Sequence, residues 1–76
     1  MEIQEFITNF ADQFEETDAI LFTPDAKFRE FEEWSSLTAL MVMAMVDEEY
    51  DVPLTANEMK TATTIQELFN IVKSHL

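Results

Sequence analysis

Two adjacent serines, Ser35 and Ser36, follow the run Glu32-Glu33-Trp34 and open a segment, residues 37–46, that carries no charge before Asp47. A serine at the start of a helix has two chemical uses. Its oxygen can accept a hydrogen bond from a free first-turn amide and so cap the helix, which is the plainer reading of the local sequence. Held out to solvent, the hydroxyl can instead accept a covalently attached group. A phosphate suits that place, because the unpaired amides of the first turn and the helix dipole both favour negative charge. By local sequence alone, capping is the reading for both Ser35 and Ser36.

The other reactive residue types offer less. His75 is the only histidine and stands next to the last residue, so a histidine-based catalytic pair or zinc site is not expected. Asp47, Glu48, Glu49 and Asp51 lack the ligand spacing and the glycine of a calcium loop, and they read as a solvated acidic helix end with no metal. There is no cysteine for a disulfide or a thiolate metal site, and no glycine for a phosphate-binding loop. Paired carboxylates acting as acid and base need a cleft, for which so short a chain has little room. Enzymatic activity is not expected.

The elements that must hold these residues are helical. Ile3, Phe6, Ile7, Phe10 and Phe14 recur at offsets of three and four, which predicts a helix over about residues 2–16. Residues 17–35 have no sustained period, but Phe22, Phe28, Phe31 and Trp34 should pin this long connection onto a core, and Thr23 before Pro24 is placed to cap a short helical turn. A second helix is expected over about 36–50, with Val42, Met43, Val46 and Tyr50 as its core stripe and Leu37, Met41, Ala44 and Met45 on its outer side. Pro53 breaks it. A short helix over about 56–61 follows, and Thr64 three residues before Glu67 forms a capping-box pattern opening a last helix over about 64–75, with Ile65, Leu68, Phe69, Val72 and Leu76 in register. The expected fold is all-α: a single domain over 1–76, a small bundle of three long helices and one short one, with a long loop between the first two.

Sixteen acidic residues against four basic ones give a formal net charge of −12, which repels nucleic acid and attracts proteins with basic patches. A hydrophobic fraction of 47% in periodic array separates the chain from disordered acidic sequences. The longest uncharged apolar run is too short for a bilayer and no leader pattern stands at the start, so a soluble, cytoplasmic protein without membrane insertion is expected, acting as a monomer.

The layout resembles an acyl carrier protein. The features that carry the resemblance are the Ser35-Ser36-Leu37 triplet opening the second helix, the helix-ending run VDEEYDVPL, the closing helix TATTIQELFNIV, and the length, acidity and helix order of the chain. It covers the whole chain in architecture and is continuous from about Phe28 onward. The resemblance implies a 4′-phosphopantetheine arm, donated from coenzyme A, on the Ser36 hydroxyl, with acyl intermediates of a fatty acid or polyketide type carried as thioesters. It also implies a phosphopantetheinyl transferase and acyl-processing enzymes with basic patches as partners. Leu37, Met41, Ala44, Met45, Asp47 and Glu48 are then the expected docking face, and Val42, Met43, Val46 and Phe69 the expected lining of an acyl cavity.

The chain also departs from the family pattern. Ser35 stands where an aspartate is usual, Thr38 and Met41 where acids are frequent, and Glu32-Glu33 where Leu-Gly is usual, so acidic contacts to partners would come from Glu30, Glu32 and Glu33. The departures point to a carrier of a specialised pathway. A carrier of aminoacyl groups, and a non-loaded acidic helical module that binds a basic amphipathic helix, are the alternatives.

Overall fold

The three-and-four spacing of apolar residues yields α1 over Ile3–Ala11, α2 over Ser36–Tyr50, α3 over Ala56–Thr61 and α4 over Ile65–Ser74 in a computed structural model that describes residues 2–76. Two single-turn 3-10 helices, Ala19–Leu21 and Phe28–Glu30, lie in the α1–α2 connection, and every regular element among the described residues is helical. The molecule is a small all-α bundle in which α1 packs on α2 and α4, and α3 on α4. No helix among the described residues is long and apolar enough to cross a membrane.

The first helix is shorter than its apolar period predicts. A helix running to residue 16 would send the Glu15 and Glu16 amides back to the carbonyls of residues 11 and 12. Instead both donate to the Glu33 carboxylate, at 2.9 and 2.8 Å, and the Thr17 hydroxyl donates to it as well. A charged acceptor with two oxygens outcompetes helical carbonyls for these donors. The last turn tightens through bonds from the Gln13 amide to Phe10 and from the Phe14 amide to Ala11, so Phe14 still enters the core.

The connection is held at several points. Asp18 caps the first 3-10 turn by accepting from the Ile20 amide at 3.1 Å. Thr23 does not cap a helical turn; its carbonyl accepts from the Ala26 amide, closing a turn with Pro24 at the second position, where its fixed φ fits. The Pro24 and Ala26 carbonyls in turn accept from the Gln66 and Ile65 amides, satisfying free donors at the start of α4.

All nine aromatic residues join one network of ring contacts. Fully buried Phe10 is its hub, with rings of Phe6, Phe14, Phe22 and Phe28 at 5.3–6.4 Å. Large side chains concentrate apolar area per residue, and favourable ring pairs add about 0.5–1.5 kcal/mol each. That is how a chain without disulfides reaches a Cα radius of gyration of 11.0 Å, close to the roughly 11.4 Å expected of a folded chain this long.

The core face of α2 is rotated from the expected stripe. Thr38, Val42, Met45 and Val46 are buried, while Met43 is half-buried. Met45, expected on the outer side, is therefore a core residue, because it lies about two turns beyond Thr38 and one beyond Val42 on the side facing the bundle. Apolar residues occur all round this helix, so the sequence period alone leaves its facing undetermined. Asp51, in the left-handed region at φ 58°, ends α2 two residues before Pro53, a position that glycine usually fills.

Candidate functional site

The N-terminus of α2 is built around a division of labour between its serines. Ser35 is the N-cap: its Oγ accepts from the Thr38 amide at 3.2 Å. The Thr38 hydroxyl donates to the Glu33 carbonyl at 2.7 Å, so its oxygen is free to accept from the Ser35 hydroxyl at 3.2 Å. Thr38 is thus buried and internally satisfied, and it ties the loop to the helix. Ser36 is the first helical residue and is exposed, and none of the side-chain hydrogen bonds among the described residues engages its hydroxyl.

Beside Ser36 an open cleft of about 510 Å³ runs between α2, α3 and the end of the connection. Its walls are apolar, from Trp34, Ala39, Leu40, Met43 and Met59. Ser35, Ser36 and Ala56 complete the lining together with two cations, Arg29 and Lys60. Arg29 is fixed by donation from Nη1 to the Met59 carbonyl at 2.9 Å and lies 5.6 Å from the centre of the Phe28 ring. The size is in the range of small-molecule sites.

Of the residues expected to line an acyl cavity, Met43 alone borders this cleft. Val42, Val46 and Phe69 are sealed in the core, with Phe69 packed on Phe6 at 5.6 Å. Leu37, Met41, Ala44, Asp47 and Glu48 are exposed along α2 as expected, with Leu37 at 67% and the unanticipated Leu40 at 60%. Glu33 is turned inward onto residues 15–17, while Glu30 and Glu32 face solvent. The hydroxyl of Thr17 and the amides of Glu15 and Glu16 hold the Glu33 carboxyl below its ordinary pKa.

Sequence reasoning missed Arg29, Lys60, Trp34 and Met59 as cleft residues, because no local spacing connects positions so far apart. His75, expected to be a bare tail residue, meets Glu58 through Nε2 at 2.6 Å. Bonds to the Thr55 backbone and to His75 hold the Glu58 carboxyl below its usual range. Among the described residues no group of three or more histidine or carboxylate side chains is placed to hold a metal ion.

The exposed, uncapped Ser36 hydroxyl fits a phosphodiester. The first-turn amides of Ser36 and Leu37 have no intrahelical acceptor, and Arg29 and Lys60 border the same cleft. The apolar walls suit an uncharged chain leading away from it. No protein-family model matches the chain, and neither a curated protein nor a solved structure matches it.

Proposed function

We propose that the chain is a cytoplasmic carrier of acyl groups, loaded at Ser36 with a 4′-phosphopantetheine arm, and not itself an enzyme. The observation that carries this reading is the pairing of a solvent-facing, otherwise unengaged Ser36 hydroxyl at the first turn of α2 with an apolar cleft beside it. Loading would join the Ser36 oxygen to the phosphorus of the arm; the adenosine bisphosphate part of coenzyme A leaves, and the hydroxyl proton passes to the transferase. When attached, the arm supplies a terminal thiol that holds an acyl group as a thioester.

The chain's own residues do three things in this scheme. Ser35 occupies the capping position and so leaves Ser36 free. The first-turn amides and the nearby cations stabilise the phosphate. The exposed strip Leu37, Leu40, Met41 and Ala44, ending in Asp47 and Glu48, presents an adaptable apolar surface edged with negative charge to enzymes that carry basic patches. Tethering raises the local concentration of the acyl group at each enzyme that docks this strip.

Intact mass spectrometry after incubation with coenzyme A and a broad-specificity phosphopantetheinyl transferase tests the assignment. The expected result is one added arm, lost in Ser36→Ala and retained in Ser35→Ala. The same exposed strip also supports a second reading, an unloaded acidic module that binds a basic amphipathic helix. Failure of several transferases to modify a folded chain would select that reading.

A further inference from the structure

The charge of the Ser36 cleft is opposite to that of the molecule. Of sixteen acidic residues none lines it, yet two of the four basic residues do. Two other clefts carry net negative charge: Glu16, Asp18, Glu30, Glu32 and Glu33 border one, and Asp25 and Glu30 together with Lys27 border the other. Among the described residues neither Arg29 nor Lys60 forms an ion pair with a carboxylate, although carboxylates outnumber cations fourfold. Arg29 keeps guanidinium donors to spare after its single bond to Met59.

We infer that this cleft is a binding site for a slender amphipathic anion, an apolar chain ending in one carboxylate, with Trp34, Leu40 and Met43 against the chain and Arg29 and Lys60 at the head. A neutral apolar ligand would gain only the walls. A cation would meet two like charges. A carboxylate head gains charge-assisted hydrogen bonds from two cations that have no carboxylate partner among the described residues. The ligand binds the unmodified protein, so the site exists whether or not Ser36 is ever loaded.

Trp34 is the only tryptophan and borders the cleft, which makes its fluorescence a direct reporter. Titration of the unmodified protein with decanoate and with decanamide, which share an apolar chain, isolates the head. Decanoate is expected to bind about tenfold more tightly than the amide, the ratio that one charge-assisted bond provides. Raising the salt concentration should narrow that ratio. Lys60→Gln should remove most of the preference, as should Arg29→Gln, whose fold is checked by circular dichroism because Arg29 also holds the Met59 carbonyl. Lys73→Gln, which removes a cation on α4 away from the cleft, should leave it intact. Equal affinity for acid and amide, absence of binding by both, or a preference unchanged in Lys60→Gln would each overturn the assignment, and none of these outcomes bears on whether Ser36 accepts an arm.

Discussion

Glu33 shows how one side chain can set the course of a loop. Its carboxylate gathers two backbone amides and a hydroxyl from residues 15–17, ends α1 early and places Trp34 and the serines behind it. The lowered carboxyl pKa means that the ionised form is bound more strongly in the folded state. The contribution is therefore complete above the ordinary value of 4.5 and is lost as the pH falls from there through the lowered value. Glu33→Gln should reduce stability at neutral pH, and the gap between variant and parent in urea melts should close as the pH drops below about 4.5; a gap independent of pH would contradict the clamp. Ser35→Ala removes an N-cap and should cost about 1 kcal/mol in the same measurement while Ser36 stays available.

Among the helices, the bounds of α2, α3 and α4 were legible to within a residue, and only the end of α1 was not. The Thr64-to-Glu67 pattern does open α4, although the Glu67 carboxylate reaches the Thr63 amide instead of that of its N-cap, giving half a capping box. The complete box is at α3, where Thr55 and Glu58 exchange side-chain-to-backbone bonds; the short helix is expected from the sequence, though not from the Thr-x-x-Glu pattern that opens it. At the other end of α2 the chain, lacking glycine, uses Asp51 in the left-handed region. Asp51→Ala should cost about 1 kcal/mol, since an alanine there meets the full steric cost without the local hydrogen bonding that aspartate can offer, while Asp51→Gly should be tolerated. Thermal melts of the two variants would contradict this if alanine proved the better residue.

Across the molecule two features oppose each other. The aromatic network concentrates cohesion at Phe10, and Phe10→Ala should lower unfolding free energy by about 3–5 kcal/mol, a large share of what so small a domain possesses. Against it acts the self-repulsion of a chain at −12. Added salt should raise the melting temperature at neutral pH, because screening weakens that repulsion while burial of the rings is little affected. A melting temperature that fell with moderate sodium chloride would show that specific ion pairs outweigh the net charge.

Helix content, the aromatic core and the acidic balance are local or additive properties, and residue order alone disclosed them, whereas the exposed Ser36 hydroxyl was expected from the family resemblance. Which way α2 faces was beyond residue order, since with apolar residues all round the helix only contact with α1 and the rings could turn Met45 inward and Met43 toward the cleft. The placing of Arg29 and Lys60 on one cleft beside Ser36 likewise depends on folding, because residues distant in the chain border a common space only when packing brings their elements together.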